Sequence, residues 1–535
     1  MKSWRISLFL AAASLAFASR SLAADSDAAL AALAQDAEVS ETMRAVPRLK
    51  EPAAYEPKDG VLEVDISEYA GYAGIIAANN GLEPNEDSIF FKKHGFKVRL
   101  TLSEEDSWSG LNSGRMAASV TTVDVLPLYG RQLKAVVPVL IGYSRGADGI
   151  VVRTPIRSVN DLKGKTLATA QFNEADFILR FLASQVGLQV NLLENPASPR
   201  DPEKVNIVSC ADSFGAGDFF LRDVLSNRAR VDGCVTWDPK TSEVVEKSKG
   251  KARLLMSNRN LLIVADILLV NKGFADAHPD QVAGFVAGLL EGNQGVRANP
   301  KAYEELLAKA FGWEKEEVLA ELGKVHLANL PENLAFFSGT IDSAGSYGYI
   351  YESSVQAYGS EFIPRPVPAE TFLSPAPLER AKAVDIFSKE RAEIKPIKMD
   401  AEDVETPLLA RDIRFLFRAN SAEVDLEHPQ NLEDLKYMAN MLNISPGSTL
   451  LLRGHVDNAR VEEFRQQGGP ELVQRMAIRA VQLSKDRCNS VMKALVELHK
   501  VDPARIESLG LGWREPLGKD MEQNRRVEVQ WFTLE

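Results

Sequence analysis

The sequence predicts an α/β fold for the larger part of the chain, followed by a small α+β unit. Between about residues 59 and 363, short apolar or β-branched runs alternate with stretches whose apolar residues recur near every 3.6 positions. After about residue 409 the predicted elements follow in the order β-α-β-α-β-β. The first pattern is typical of largely parallel sheets covered by helices.

The N-terminus has the features of a secretory signal peptide. Lys2 and Arg5 precede the apolar run ISLFLAAASLAFA, and small residues follow at SLA, positions 21 to 23. The run is short for a membrane span, and no cysteine follows it as a lipid anchor would need. No later segment is apolar for long enough to cross a bilayer. We therefore expect cleavage after Ala23 and export of a soluble protein to the periplasm.

Composition excludes some classes of function. The formal net charge of −12 argues against a nucleic-acid-binding protein, whose surface would be basic. The three cysteines, Cys210, Cys234 and Cys488, form no CxxC motif and no Cys/His cluster, so we expect neither a metal site nor a cofactor. Cys210 and Cys234 lie on predicted strands, and the sequence leaves open whether they form a disulfide.

Changes in composition and in apolar periodicity divide the chain into segments. Residues 24–58 lack sustained periodicity and are predicted to be a poorly ordered lead-in. Residues 59–363 carry the α/β pattern. Residues 364–408 are rich in proline and charge, which predicts a semi-rigid linker. Residues 409–535 form the last unit.

The α/β region contains four stretches that occur in the order and spacing of a known family: ISEYAGYAGIIAANNG, FFKKHGFKVRL, GYSRGADGIVVRTPIRSVNDLKGKTLA and VDGCVTWDP. They resemble the solute-binding proteins of nitrate/sulfonate/taurine-type ABC importers. The resemblance implies a two-lobed periplasmic-binding-protein clamshell of type II over residues 59–363. It also implies crossings between the lobes near Gly149 and Ala265, a solute between the lobes, and an ABC permease and ATPase as partners.

Loop positions predict the residues that contact the solute. In doubly wound sheets, ligands bind outside the carboxyl ends of the strands, near helix N-termini. The loops at those ends provide the following side chains: Ser67, Tyr69, Tyr72, Thr121, Thr122, Asp124, Asp148, Gln171, Asn173, Trp237 and Asp238. Tyr72 is equally consistent with core packing, Asp148 with a turn, and the two threonines with helix caps. Trp237, directly before a proline turn, is the strongest candidate.

Charge in the same loops indicates the chemistry of the solute. Four acidic residues, Glu68, Asp124, Asp148 and Asp238, favour a ligand with a positive group, such as an amine or a zwitterion. Arg145 leaves an anionic ligand open. We find no GxSxG, no phosphate-binding glycine loop and no placed nucleophile, so we predict a binding protein and not an enzyme.

The C-terminal unit contains three motifs of a second family: LLRGHVDNAR, LSKDRCNSVMKAL and QNRRVEVQW. They resemble the OmpA-like peptidoglycan-binding domain. The resemblance implies that Asp457 binds the ammonium and Arg487 the carboxylate of the diaminopimelate residue in the stem peptide, the latter through a two-toothed contact. Leu483 and Arg525 are further predicted peptidoglycan-binding residues.

The unit departs from that family in two places. Ala480 stands where the family usually has asparagine, and residues 460–476 look like an insertion that either covers the pocket or extends a loop. The sequence does not decide which of Arg525 and Arg526 faces the ligand. His455 is expected to be a structural hydrogen-bonding residue and not a metal ligand.

Together these features predict a periplasmic solute-binding component of an ABC importer for a small polar solute, tethered to peptidoglycan. Three alternatives remain open: a protein that senses its ligand, a structural cell-wall protein, and a periplasmic enzyme on the clamshell fold. Neighbouring permease and ATPase genes would favour import, and a neighbouring membrane kinase would favour sensing.

Overall fold

The computed structural model describes residues 38–103, 107–259, 261–338, 346–394, 408–417, 421–445, 447–518 and 523–532. The predicted signal peptide, residues 1–23, lies outside the described residues. None of the described helices combines the length and the apolar run that crossing a membrane requires.

The described strands run along the chain from β1 to β17. They are β1 (Val61–Ile66), β2 (Lys97–Leu102), β3 (Ala118–Thr122), β4 (Ala135–Val136), β5 (Leu140–Ser144), β6 (Asp148–Arg153), β7 (Thr166–Ala170), β8 (Val190–Leu193), β9 (Val205–Cys210), β10 (Gly233–Trp237), β11 (Ala252–Ser257), β12 (Ala265–Asn271), β13 (Val325–Leu327), β14 (Leu409–Ile413), β15 (Thr449–His455), β16 (Ile506–Gly512) and β17 (Val527–Phe532).

The described α-helices run along the chain from α1 to α16. They are α1 (Ala73–Asn79), α2 (Ile89–His94), α3 (Ser107–Asn112), α4 (Leu126–Tyr129), α5 (Glu174–Gln185), α6 (Ser213–Leu225), α7 (Lys240–Lys247), α8 (Lys272–Ala277), α9 (Pro279–Ala298), α10 (Glu304–Phe311), α11 (Lys315–Leu322), α12 (Leu330–Ser338), α13 (Tyr347–Phe362), α14 (Ala376–Ala381), α15 (Pro429–Ile444) and α16 (Val461–His499).

Two sheets form the two lobes of the α/β region. The sheet of the first lobe has the order β13-β5-β12-β3-β1-β2, with β4 beside β12. The sheet of the second lobe has the order β11-β6-β10-β7-β9-β8. The chain passes to the second lobe between β5 and β6 and returns between β11 and β12, close to the crossings predicted at Gly149 and Ala265. This is the predicted α/β clamshell.

Strand composition explains the position of each strand in its sheet. The central strand β12, ADILLVN, is buried along its whole length, which fits a strand covered on both faces. The edge strand β2, KVRLTL, alternates between buried and more exposed residues, as a strand with one solvent-exposed face does. A continuous apolar run therefore predicts an inner strand and an alternating one predicts the edge.

The described part of the lead-in is ordered. Residues 38–58, which we predicted to be poorly ordered, run across both lobes. In the second lobe Met43 N donates to Gln171 Oε1 (2.7 Å) and Met43 O accepts from Gln171 Nε2 (3.2 Å). In the first lobe Tyr55 N donates to Asn271 Oδ1 (3.1 Å). The segment lacks periodicity because its backbone bonds isolated partners far along the chain: side-chain amides such as Gln171 and Asn271, and a short antiparallel bridge from Val39 to Cys210 of β9. We call residues 38–58 the strap.

The predicted linker also packs on the clamshell over its described part. Phe372 O accepts from Val137 N (2.7 Å), and Phe372 and Phe387 are buried. Glu390 pairs with Arg297 of α9 at 2.9 Å. The buried apolar side chains of this segment are spaced irregularly among prolines. Their burial therefore leaves no helical or strand periodicity in the sequence. Residues 395–407 lie outside the described residues.

The C-terminal unit has the predicted β-α-β-α-β-β order. Its sheet runs β14-β17-β15-β16, with β15 and β16 parallel and the other neighbours antiparallel. Trp531 on β17 is buried in its core. The fold predicted for this unit is confirmed.

The C-terminal unit docks on the second lobe. The amide of Asn160 bonds both backbone groups of Ala410 on the edge strand β14, each at 3.0 Å. Leu262 N, in the segment that returns to the first lobe, donates to Ile444 O at 2.6 Å. Asn160 thus covers the otherwise open edge of the small sheet.

All three cysteines are free and buried. Cys210 on β9 and Cys234 on β10 are separated by β7, which pairs with both strands. Two strand spacings amount to roughly 9.5 Å, beyond the Cα separation of about 7 Å that a disulfide tolerates. The open question of a Cys210–Cys234 bridge is therefore answered in favour of free thiols.

Candidate ligand-binding sites

A cavity of about 820 Å³, a volume that includes solvent at its open mouth, lies between the two lobes. The carboxyl ends of β1, β3, β7 and β10 meet the first residues of the antiparallel strands β6 and β12 at its wall. The described wall residues are Asp65, Ile66, Ser67, Glu68, Tyr69, Tyr72, Ser103, Trp108, Ser119, Val120, Thr121, Thr122, Ser144, Asp148, Asn173, Glu174, Trp237, Val264 and Asp266.

Most of the predicted contact residues lie in this wall. They are Ser67, Tyr69, Tyr72, Thr121, Thr122, Asp148, Asn173 and Trp237. The structure brings them together because strand ends from both lobes face one cleft. The rule for doubly wound sheets therefore located the cavity from sequence alone.

The other three predicted residues lie outside the described wall. Asp124 is fully buried. Gln171 uses its amide to hold Met43 of the strap. Asp238 accepts hydrogen bonds from Thr241 and Ser242 and forms an ion pair with Lys324 of the first lobe, 3.0 Å away. Asp238 therefore links the two lobes beside the cavity.

Several wall residues escaped the sequence prediction. They are Asp65, Ser103, Trp108, Ser119, Ser144, Glu174, Val264 and Asp266. Asp65 and Asp266 lie inside apolar strands, VLEVDI and ADILLVN. A carboxylate within a buried strand is rare without a partner, and that interruption is the signal that could have identified both.

Asp148 and Asp266 lie where the chain crosses between the lobes, and Glu174, at the start of α5, lines the same cavity; we call these three carboxylates the hinge acids. Asp148 Oδ2 accepts from Ser144 Oγ (2.5 Å) and from Asn258 Nδ2 (2.8 Å). Asp266 Oδ1 accepts from Tyr72 OH (3.2 Å). Glu174 is the first residue of α5, where the helix dipole favours negative charge.

Burial makes the hinge acids costly to ionise. It raises the pKa of Asp148 to about 6, against the hydrogen bonds from Ser144 and Asn258 that lower it. Burial, followed by the charge of Asp148, raises the pKa of both Glu174 and Asp266 well above the usual range. A bound cation would remove this cost, because it favours the charged form of each carboxyl.

A further carboxylate lies at the end of β1. Asp65 is only 2% exposed. Its Oδ2 accepts from Ser103 Oγ at 2.5 Å, whereas its Oδ1 has no hydrogen-bond partner among the described residues. Burial raises the pKa of Asp65. A buried acceptor without a donor is expensive, so a ligand donor at this position would stabilise the site.

Aromatic rings complete the wall. Tyr69 and Tyr72 meet edge to face with centroids 5.4 Å apart, and Trp237 packs on Phe214 at 5.5 Å. Trp108 is the fourth aromatic residue of the wall. The described wall contains no lysine, arginine or histidine. Carboxylates and aromatic faces without a basic group are suited to a cation.

The C-terminal unit has its own cavity, of about 790 Å³ to its mouth, with a basic wall. Arg487 and Arg525 both line it, as predicted. Asp457 lies outside the described wall but pairs with Arg525 at 3.4 Å, and Leu483 is 39% exposed away from the cavity. The predicted pair of Asp457 and Arg487 stays a prediction: Arg487 lines the cavity, whereas Asp457 lies beside it, paired with Arg525.

The structure distinguishes the two neighbouring arginines. Arg526 is bound to Asp412 at 3.0 Å and its side chain is 6% exposed, whereas the side chain of Arg525 is 48% exposed. Arg526 is therefore the structural residue and Arg525 the accessible one.

Arg487 is prepared to accept an anionic group. Its guanidinium lies over the ring of Phe417, 4.8 Å from the centroid, and its Nε has no hydrogen-bond partner among the described residues. Burial, and then the nearby charge of Arg525, lower the pKa of Arg487. An acceptor on a ligand would satisfy the free donor and offset the repulsion between the arginines.

His455 belongs to an ion-pair network. His455, Glu515 and Glu528 lie close enough together to hold a cation. Arg453, however, already binds Glu515 at 2.9 Å and Glu528 at 2.8 Å. Although burial opposes it, the adjacent His455 and the hydrogen bonds from Arg453 lower the pKa of Glu528 to about 2. Arg453 thus already pairs with both carboxylates of the group.

The insertion at 460–476 forms the first part of α16, which bends at Gly468 and Gly469. Gly469 has a φ of 64°, a conformation that glycine adopts without a steric penalty. Phe464 is buried near Trp513, with ring centroids 6.4 Å apart. The described wall of the basic cavity contains no residue of the insertion, which packs on the end of β16 instead.

Family models match both parts of the chain. Residues 86–303 match the family described as NMT1/THI5 like, and residues 416–530 match the OmpA family. The chain therefore contains an NMT1/THI5-like domain and a C-terminal OmpA family domain. Both resemblances predicted from the sequence are confirmed at this level.

Solved structures with similar folds cover the clamshell. The periplasmic aliphatic sulphonate-binding protein SsuA from Escherichia coli is 16% identical, with a TM-score of 0.45, and covers 65% of this chain and 99% of its own. The ligand-binding component of an ABC-type import system from Staphylococcus aureus is 11% identical, with a TM-score of 0.44 and coverages of 60% and 98%. The desulfurization enzyme DSZB is 16% identical, with a TM-score of 0.38 and coverages of 60% and 98%.

Proposed function

We propose that this chain, which joins an NMT1/THI5-like domain to an OmpA family domain, is the periplasmic solute-binding component of an ABC importer and is tethered to peptidoglycan. The cavity between the two lobes is the observation that carries the first half of this proposal. It combines unpaired buried polar atoms with aromatic faces, which is the character of a small-molecule site.

The solute carries at least one protonated amine. The wall holds five carboxylates, the three hinge acids, Asp65 and the exposed Glu68, and its described residues include no basic group. An anionic solute would face these carboxylates at short range, whereas an ammonium would pair with them and restore the charge that burial suppresses. Of the two ligand classes predicted from the sequence, an amine and a zwitterion, this cavity favours the amine.

Peptidoglycan is the proposed ligand of the second cavity. Arg487 and Arg525 can bind the carboxylate of a diaminopimelate residue, and Asp457 can bind its ammonium. The unpartnered Nε of Arg487 supports this role, because a guanidinium that lacks an acceptor when buried gains most from a bidentate carboxylate.

Two experiments on the full chain test the proposal. Native mass spectrometry of the protein purified from its host should show a co-purified small molecule that urea releases. Wild-type protein should sediment with purified peptidoglycan sacculi. Arg487→Lys should bind them at least tenfold more weakly, because lysine keeps the positive charge but cannot form the bidentate contact of a guanidinium. Asp457→Asn should show a similar loss.

Arg514→Lys is the matched control, since Arg514 is exposed and outside the described wall of the cavity. It should sediment like the wild type. Equal sedimentation of all variants would contradict the roles assigned to Asp457 and Arg487, and an empty cleft in every preparation would contradict the solute-binding role.

A further inference from the structure

The four buried carboxylates of the clamshell cavity fall into two separate groups, whereas the fifth, Glu68, is exposed and accepts a hydrogen bond from Trp313 Nε1. The hinge acids occupy the end at the crossing between the lobes, and Asp65 with Ser103 occupies the other, within the first lobe. The charges that raise the pKa of Glu174 are those of Asp148, Asp124 and Asp266. The pKa of Asp65 responds to burial, Ser103 and Arg115 instead. The two groups are therefore electrostatically distinct.

Strand register gives the distance between the groups. Asp65 pairs with Ser119 on β3, whereas Asp266 pairs with Thr122, three residues further along the same strand. Three residues correspond to roughly 10 Å along β3, and β1 and β12 lie two strand spacings, roughly 9.5 Å, apart. The Cα atoms of Asp65 and Asp266 are therefore on the order of 14 Å apart.

One ammonium cannot reach both groups. Each aspartate extends about 3.5 Å from its Cα, so the two carboxylates remain at least about 7 Å apart, whereas one ammonium contacts oxygens about 2.8 Å away on either side. A ligand that satisfies both ends therefore needs two positive groups, up to roughly 8 Å from each other.

The unpaired oxygen of Asp65 shows that its end of the cavity is built for a donor. The residue is nine-tenths buried, lines the cavity and leaves Oδ1 without a partner among the described residues. A zwitterionic ligand would place its own carboxylate against Asp65 or against the hinge acids, and no described basic wall residue would match it. Tyr69, Trp108 and Trp237 offer apolar faces for a chain that connects the charges.

We propose that the solute is a linear dication, a diamine or polyamine whose two ammonium groups bind Asp65 at one end and the hinge acids at the other. This inference rests on the proposed solute-binding function and names its substrate class. The methylene chain lies against the aromatic faces, and each ammonium lies between carboxylates of the wall.

Isothermal titration of the full chain at pH 8 tests the inference with a matched series. The probes are 1,4-diaminobutane, 1,6-diaminohexane, butylamine, 4-aminobutyrate and butanesulfonate. At least one diamine should bind at least 100-fold more tightly than butylamine, and 4-aminobutyrate should bind no better than butylamine. Butanesulfonate should give no heat.

The variant Asp65→Asn separates the two ends. It should weaken diamine binding at least tenfold and weaken butylamine binding much less, since a single ammonium can still bind the hinge acids. Glu246→Gln, an exposed carboxylate on α7, removes the same charge from the chain and should change neither affinity.

Three outcomes would contradict different parts of the proposal. If butylamine or 4-aminobutyrate binds as tightly as the diamines, or if an anion co-purifies in the cleft, the dication is wrong while solute binding stands. If Asp65→Asn weakens butylamine as much as the diamines, the two-ended geometry is wrong. Failure of every probe together with an empty cleft in native mass spectrometry would contradict the proposed function itself.

Discussion

Asp124 and Asp148 couple the clamshell to pH through burial. Burial raises the pKa of Asp124 to about 7 and that of Asp148 to about 6, compared with 3.8 for an ordinary aspartate. In the unfolded chain both groups would lose their protons near pH 4, so the folded state holds more protons between about pH 4 and 7. Their contribution to stability is therefore complete below pH 4 and is lost as pH rises through 6 to 7.

We expect the unliganded protein to melt at a higher temperature at pH 5 than at pH 8, as far as these two groups decide the difference. Each unit of pKa displacement corresponds to about 1.4 kcal/mol. Differential scanning calorimetry at the two pH values measures the effect, and Asp124→Asn should reduce it. A cationic solute should bind more tightly at pH 8 than at pH 5, because the ionised carboxylates are then already present. Binding that strengthens on acidification would contradict this assignment.

Trp237 belongs to the cavity more than to the core. It lines the wall, is partly exposed and packs on Phe214 from one side. Trp237→Ala should therefore weaken solute binding at least tenfold through lost aromatic contact, while the melting temperature of the unliganded protein falls by only a few degrees. Titration calorimetry and thermal denaturation measure the two effects, and Trp237→Phe should retain most of the affinity. A large loss of unliganded stability would show that the ring is a core residue.

Elements with a regular period were predictable from sequence, and elements without one were not. The inner strands and the β-α-β-α-β-β order follow from apolar periodicity, which a sequence shows directly. The strap was predicted to be poorly ordered and residues 364–394 to be part of a linker. Both are ordered by contacts with residues far away in sequence, such as the amide of Gln171 and the residues around Phe372. Long-range pairing of this kind leaves no local signature.

The site was predictable to the same extent. Loop residues at strand ends were found because sheet topology fixes where strand ends meet. Asp65 and Asp266 were missed because they lie within strands, and Gln171 and Asp238 were misassigned because their partners, Met43 and Lys324, are far away in sequence.

The contact between the edge strand β14 and the second lobe can be tested by one substitution, at Asn160. Asn160→Ala deletes both hydrogen bonds to Ala410, and at about 1 kcal/mol for each bond the docked state should lose about 2 kcal/mol. Hydrogen–deuterium exchange should then show faster exchange of the Ala410 amide, by about tenfold or more. Asn440→Ala, an amide in the groove between α15 and the second lobe, is the control and should leave that exchange rate unchanged. Unchanged protection in Asn160→Ala would show that the edge is held by other contacts.

At the scale of the whole molecule, the lobes are joined by more than the two crossing segments. The strap bonds both lobes, and α13 contacts both, since Ser354 Oγ donates to Asp124 O (2.6 Å) and Tyr358 OH donates to Asn173 O (3.4 Å). The ion pair of Asp238 with Lys324 adds a link beside the cavity mouth. These contacts hold the two lobes together on either side of the cavity and its carboxylates.

If the C-terminal unit is bound to peptidoglycan, as we propose, its docking has a mechanical consequence. Tension from the sacculus would then reach the clamshell through the contacts of Asn160 and Leu262, that is, through the second lobe and the segment that leads out of it. The second lobe then becomes the stationary frame, and opening of the clamshell swings the first lobe. The distance over which the first lobe moves, and not the length of a flexible linker, would then set how close the cell wall must lie to the inner membrane for the solute to reach the permease.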